Sequence, residues 1–264
     1  MKAIASRENP AYKAMARLAG SRTARRANGS SVLDGAHLLA AFLDSGGKPE
    51  SVMVAQSALE DSAIGRLLER CAPAPVTAVS DRLFESLSTV DSPTGIVAAV
   101  KTPAPRAVPV DAPFVLLLDD IQDPGNVGTL LRSAAAAGAR DVLLSAHCAF
   151  AWSPKVLRSA MGAHFALNIV EGADLGEFLR GYRGTSIALA GRAKRSLYDI
   201  ELGGPLAIVV GNEGAGVSPA LLGAASTTAR IPMAGPVESL NAATAASVAL
   251  FEALRQRALR KGSR

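Results

Sequence analysis

Three short segments in the second half of the chain carry residues whose types and spacing could do chemistry. The first is Asp123-Pro124-Gly125-Asn126-Val127-Gly128, with Arg132 six residues after Asn126. A proline-glycine turn opening a helix places Asn126 and Arg132 at the same broad end of that helix. An amide and a guanidinium there could hold a phosphate or another anion. The same residues also read as a turn with an Asx cap beside a solvated arginine. The second segment is Gly211-Asn212-Glu213-Gly214-Ala215-Gly216. Its glycines let backbone amides approach a ligand closely, though a glycine-rich chain reversal needs the same residues. The spacing G-x-x-G-x-G is neither the dinucleotide fingerprint nor a P-loop. Glu213 would repel a phosphate, so a neutral or cationic ligand fits the loop better. The third segment, Ile231-Pro232-Met233-Ala234-Gly235-Pro236-Val237-Glu238-Ser239-Leu240-Asn241, leads into an apolar run with helical spacing. Ser239 and Asn241 are expected in the first turn of that helix, where hydroxyl and amide cap free N–H groups. Capping accounts for the serine well and for the asparagine less well.

The usual catalysts are missing from the pattern. His37, His147 and His164 are scattered, and no G-x-S-x-G or H-E-x-x-H occurs. Cys71 and Cys148 stand far apart without a C-x-x-C, which argues against a zinc ribbon, a thioredoxin-type site and a disulfide framework. No metal is expected. The chemistry at these loops should need little acid–base power.

Alternating helices and strands must position the three loops. Pro103, Pro105, Pro109 and Pro113 fall within the twelve residues 102–113, an extended connector that neither a helix nor a central strand tolerates. The expected division is therefore a first domain over 1–101, this linker, and a second domain over 114–264. In the first, the spacing predicts helices over Gly35–Leu43 and Ser57–Arg70 and strands at Ser51–Ala55, Val76–Val79 and Gly95–Val100. Residues 1–26 read as a polar basic segment. In the second, Phe114–Asp119 is a continuous apolar run of the kind found in buried parallel strands. Further strands are expected at Asp141–Ser145, Phe165–Val170, Thr185–Ala190, Leu206–Val210 and Thr228–Ile231. Helices are expected after Pro124, over Pro154–Met161 and Leu175–Tyr182, from Ser218-Pro219, and from Ser239 to Arg260. The pattern predicts an open, mostly parallel α/β sheet with its ligand at the carboxyl ends of the strands.

Composition supports a packed chain. Of 264 residues, 49% are hydrophobic and 19% charged, which excludes a largely disordered protein. The net charge of +5 is too small by itself to argue for nucleic acid. No stretch is long and apolar enough to span a bilayer, and no apolar run follows the basic residues near Met1. A cytoplasmic protein without a membrane partner is expected.

The segments N-V-G-T-L-L-R-S-A (126–134), I-V-V-G-N-E-G-A-G-V (208–217) and I-P-M-A-G-P-V-E-S-L-N-A-A-T-A (231–245) together resemble the three signature motifs of the SpoU/TrmH family. These are S-adenosylmethionine-dependent RNA ribose 2′-O-methyltransferases of the SPOUT superfamily. Ser153-Pro154-Lys155-Val156-Leu157-Arg158 looks like a further family segment. Val32-Leu33-Asp34-Gly35 resembles the L30e-like substrate-binding domain often fused in front, with Asp where the family usually has Glu.

The resemblance implies a parallel sheet whose C-terminal part threads a deep trefoil knot, which periodicity alone could never indicate. It implies methyl transfer from S-adenosylmethionine to a ribose 2′-hydroxyl, with Asn126, Arg132, Glu213, Ser239 and Asn241 matching the family's catalytic positions. Gly211, Asn212, Glu213, Gly214, Ile231, Met233, Ser239 and Leu240 match its cofactor loops, and a homodimer is implied as well. Structured ribosomal RNA is the first expected substrate and transfer RNA the second. Arg7, Arg22, Arg25, Arg26, Lys155 and Arg158 are the cations expected to meet RNA, with ordinary solubility as their other reading. Arg255, Arg257, Arg260, Lys261 and Arg264 suit the end of a helix dipole and are assigned to structure. Two other readings stay open at this level. One is an RNA-binding protein of the same fold without methyl transfer. The other, a nucleotide-dependent oxidoreductase, suffers from the wrong glycine spacing.

Overall fold

The structure, a computed structural model, describes residues 3–88 and 93–262. Helices α1 (Pro10–Gly20) and α2 (Arg22–Asn28) lead to β1 (Ser30–Asp34), α3 (Ala36–Asp44), β2 (Pro49–Ala55), α4 (Ser62–Arg70), β3 (Val76–Val79), α5 (Asp81–Glu85) and β4 (Ile96–Lys101). There follow β5 (Phe114–Asp119), α6 (Pro124–Ala136), β6 (Asp141–Leu144), α7 (Pro154–Ala160), β7 (Asn168–Glu171), α8 (Leu175–Gly181) and β8 (Thr185–Leu189). The chain closes with β9 (Arg195–Ser196), β10 (Leu206–Gly211), α9 (Pro219–Ala224), β11 (Thr227–Arg230) and α10 (Ala242–Gly262). Contacts divide it into two compact units: 1–104 together with 152–165, and 105–151 together with 166–264. The first unit is thus discontinuous in sequence, because α7 and the residues after it belong to it.

In the first unit the sheet order is β1-β4-β2-β3, antiparallel except where β2 meets β3. Its core holds Met15, Leu33, Leu39, Phe84 and Ile96, each almost wholly buried. From Pro10 on, the polar basic segment before β1 is helical and docked, two elements that the sequence pattern did not predict. Asn9 caps α1 by accepting from the Ala11 and Tyr12 amides, and Pro10 takes the first helical position. Tyr12, Met15 and Ala19 face inward at spacings of three and four, so the charges occupy only the outer face. The expected helix over 57–70 is broken: a short 3-10 turn ends at Glu60, and Asp61 caps α4 through the Ala63 amide at 2.7 Å. The segment 152–165 packs α7 against β1 and sets Phe165 edge-on to Phe42, with ring centroids 5.2 Å apart.

The second unit is a seven-stranded sheet in the order β7-β6-β5-β10-β8-β11-β9, with every pairing parallel. Strands β5 and β10 lie at its centre and are buried along their whole length, as their unbroken apolar runs require. Strand β7 starts at Asn168, later than the spacing predicts, because a 3-10 turn occupies 163–166. Helix α10 packs on α6 and β10. Its far end is anchored by Arg257, which lies 4.3 Å over the Phe114 ring and donates to the Pro113 and Gly204 carbonyls at 2.7 and 2.6 Å. Among the described residues no helix is long and apolar enough to cross a membrane.

If α7 is part of the first unit's core, shortening its buried Leu157 (0% exposed) should destabilise that unit. Leu157→Ala is expected to cost about 2–5 kcal/mol, read as a lower urea midpoint. An unchanged midpoint would mean that α7 merely rests on the surface.

Candidate functional site

The sheet brings the first two sequence segments together. Strands β5 and β10 pair in parallel with Asp119 opposite Gly211, so both loops leave the sheet at the same edge although about 90 residues separate them. Asp123 caps α6 by accepting from the Asn126 amide at 2.8 Å, which sets Asn126 in the first turn of that helix. The Asn126 side chain is then free for other work. Its Nδ2 donates to Glu213 Oε1 at 2.8 Å. The third segment reaches the same point: Asn241 Nδ2 donates to Asn126 Oδ1 at 3.0 Å. Asn241 Oδ1 in turn accepts from the Ala243 and Thr244 amides at 2.9 and 3.2 Å and so caps α10.

One orientation of the two amides satisfies all these contacts. A carboxylate accepts only, so Asn126 must present its NH2 to Glu213. That leaves its oxygen for the Asn241 NH2, and the Asn241 oxygen for the helix N–H groups. The donors all point toward Glu213, from the positive end of a 21-residue helix to a carboxylate. Partial burial pushes the Glu213 carboxyl up. The hydrogen bonds from Asn126 and from the Glu213, Asp123 and Gln122 backbone outweigh it and bring the group below the usual glutamate range.

The loop carrying Glu213 is closed on itself. Asn212 Oδ1 accepts from the Gly214 and Ala215 amides at 2.9 and 3.0 Å, and the Gly216 amide donates to Asn212 O at 2.9 Å. A Cβ on Gly211 would lie 2.1 Å from the Gly216 carbonyl carbon and from Val217 N, so no side chain fits there. The loop's exit is held by Asp119 Oδ2, which accepts from the Ser218 amide at 2.7 Å.

Other expected residues fall differently. Asn241, and not Ser239, caps α10, which corrects the expected start of this helix: the helix begins at Ala242, so Ser239 lies in the loop before it and is exposed. Arg132 is exposed two turns along α6 and makes no hydrogen bond to Glu213, Asn126 or Asn241 among the described residues. Ile231, Met233 and Leu240 lie on the 231–241 segment, where Met233 is 39% exposed. The Arg25 guanidinium is a correction. It is 6% exposed and donates to the Leu18 and Ala19 carbonyls at 2.6 and 2.8 Å, closing the end of α1. Its charge is spent on that helix end. Arg7, Arg22, Arg26, Lys155 and Arg158 are exposed, and Lys155 and Arg158 belong to the first unit with α7. Sequence reasoning missed the structural work of Asp119, which holds the exit of the Glu213 loop; an acid that ends a buried apolar strand was the available signal.

The chemistry of the residues present fits S-adenosylmethionine: Glu213, held below the usual glutamate range, offers an anionic carboxylate at the point where the three segments meet. An anionic carboxylate suits a sulfonium and rejects a phosphate. Among the described residues no group of three His, Cys, Asp or Glu side chains could hold a metal ion.

Comparisons with known proteins identify the family. Residues 113–251 match the SpoU rRNA methylase family, and residues 9–98 match the MRM3-like substrate binding domain. An uncharacterized tRNA/rRNA methyltransferase of Synechocystis is 33% identical over 96% of this chain and 93% of its own length. The 23S rRNA (guanosine(2553)-2′-O)-methyltransferase RlmP of Bacillus subtilis is 31% identical over 95% of this chain and 98% of its own. Among solved structures, the SpoU methyltransferase AviRb from Streptomyces viridochromogenes in complex with AdoMet superposes with a TM-score of 0.85. It is 30% identical and covers 95% of this chain and 99% of its own. Fold and site together define an RNA 2′-O-ribose methyltransferase that uses S-adenosylmethionine. The chain belongs to the SpoU rRNA methylase family.

Because the folded-state pKa of Glu213 is depressed, its stabilising contribution is complete above the ordinary glutamate value of 4.5 and is lost as pH falls through the lower folded value. Glu213→Gln, which cannot titrate, should therefore flatten the acid limb of the melting temperature against pH below about 4.5. An acid limb identical to that of the unsubstituted protein would remove Glu213 from the linkage.

Proposed function

We propose that this chain methylates a ribose 2′-hydroxyl of ribosomal RNA at the site formed by Asn126, Glu213 and Asn241. The observation that carries the reading is the hydrogen-bonded chain that ties three segments, 126, 213 and 241, into one polar surface. Support for ribosomal RNA comes from relatives in B. subtilis and S. viridochromogenes, whose names give a guanosine and a uridine of 23S rRNA as targets. The two act on different bases, and a site directed at a ribose needs no contact with either.

S-adenosylmethionine, when bound, would supply a methyl group on a cationic sulfonium: the new O–CH3 bond would form as the S–CH3 bond breaks, leaving a neutral thioether, and the 2′-hydroxyl proton would pass to solvent. The protein's part is to bind, orient and exclude water. Gly211, Asn212 and Gly214 shape the loop, and Ile231, Met233, Ser239 and Leu240 offer the open segment for the cofactor. Glu213 supplies the negative charge that favours a sulfonium, and Asn126 fixes its direction. Arg132 grips the phosphate beside the target ribose and lowers the hydroxyl's pKa by its field. A guanidinium with a pKa above about 12 is a poor base and a good bidentate clamp.

The first unit, with its match to a substrate-binding domain, presents Arg7, Arg22, Arg26, Lys155 and Arg158 to RNA, and its α/β sheet is of the L30e-like kind. The second unit forms a trefoil knot around β10, supported by the insertion of this late strand between β5 and β8. The enzyme is a homodimer in the cytoplasm. Phe251 and Leu254, 48% and 37% exposed on α10, support a partner surface there.

Calorimetric titration with S-adenosylmethionine tests the cofactor site. Micromolar binding is expected, weakened about tenfold in Asn241→Ala, the loss of one net hydrogen bond. No binding by the folded protein would overturn the reading. With labelled cofactor and ribosomal RNA, Arg132→Lys should lower kcat at least about tenfold, because an ammonium cannot form the two-point clamp. Unchanged turnover would remove the phosphate-gripping role.

A further inference from the structure

We propose that Asp120 and Ser145 act as a positioning pair for the loop that carries Glu213, a role that rests on the cofactor reading above and extends it to residues outside the three motifs. Asp120 directly follows β5 and sits in the left-handed region, with φ +55°, where a side chain is disfavoured and glycine is the usual occupant. Two contacts hold it there. The Ser145 hydroxyl, at the end of β6, accepts from the Asp120 amide at 2.9 Å and donates to Asp120 Oδ1. Ser145 is itself fixed by its amide, which donates to Leu118 O at 3.0 Å.

The consequence is the direction of the Asp120 carbonyl. It accepts from Asn212 Nδ2 at 2.9 Å, while Asn212 Oδ1 takes the Gly214 and Ala215 amides. The Asn212 amide is therefore gripped at both ends, and Glu213 follows it directly in the chain. An Asp120 that relaxed out of the left-handed region would turn its carbonyl away and release Asn212. The 212–216 turn would then lose the anchor that aims Glu213 at Asn126. Asp120 and Ser145 are positioning residues that act through Asn212 and not on the reacting groups.

Hydrogen exchange and cofactor binding on the full chain separate this inference from the functional reading. In Ser145→Ala the amides of 214–216 should exchange about tenfold faster, while those of β5 and β10 keep their rates. Ser145→Thr, which keeps the hydroxyl, should restore slow exchange. Asp120→Gly, which keeps the backbone conformation and loses only the carboxylate, should be milder than Asp120→Ala, which also meets the cost of φ +55°. S-adenosylmethionine affinity should fall in the same order, with the melting temperature moving little. Unchanged exchange at 214–216 in Ser145→Ala overturns the pair's role, whether or not cofactor binds. Faster exchange throughout the sheet would also overturn it, because the pair would then be a general stabiliser. If the exchange pattern is as expected and the unsubstituted protein binds no cofactor, the pair stands and the functional reading fails.

Discussion

The hydrogen bonds from Asn241 to Asn126 and from Asn126 to Glu213 are the contacts on which the site depends. Each amide has one oxygen and one NH2, and both ends are used. The donors start at the first turn of α10 and finish on a carboxylate, so every dipole in the series favours an ionised Glu213. A carboxylate so held places a negative charge where the three segments meet, and such a charge favours cationic over anionic neighbours. The series also fixes geometry, because α6, α10 and the 211–217 loop cannot shift separately without breaking one of its two hydrogen bonds, of which the Asn126–Glu213 bond is charge-assisted.

That series exists only because β10 is inserted beside β5. With Asp119 opposite Gly211, two loops far apart in sequence begin one strand spacing apart, about 5 Å. The parallel arrangement sends both out at the same edge. The packing of α10 on α6 then delivers the third segment. Ser133 and Ser247 meet at 2.7 Å further along these helices, and Ser133 follows Asn126 by seven residues, on the same face of α6. Arg257 locks the other end of α10 to the start of β5. The register of α10, and with it the place of Asn241, is therefore set at several points along its length.

Much of the second unit was legible because its central strands β5 and β10 are continuous apolar runs bounded by glycine, proline and aspartate, whereas β9, only Arg195–Ser196, left no such mark. Phe114–Asp119 appears in the structure with the bounds that the sequence predicts. The first unit was less legible for physical reasons. Helices α1 and α2 carry charge on their outer faces and bury only a few residues, so composition hides their inward stripe. Arg25 reads as a surface cation because residue type says nothing about a neighbouring helix end that needs a donor. Asp61 interrupts a helical pattern whose periodicity continues on both sides, since a good cap starts a new helix wherever it stands. The final helix starts at Ala242 for the same reason: Asn241 offers its oxygen to two amides, and Ser239 does not reach them.

By itself the sequence determined the α/β class, the three candidate segments and the kinds of group they contain, because periodicity, turn chemistry and residue type are local properties. The tertiary structure decided which of those groups meet. It joined Glu213, Asn126 and Asn241 and left Ser239 and Arg132 outside their network. It also gave Asp120 and Ser145 a task that no motif announces and drew the segment 152–165 into the first unit. Those outcomes follow from strand order, helix register and burial, which depend on pairings between distant parts of the chain and leave no mark on local spacing.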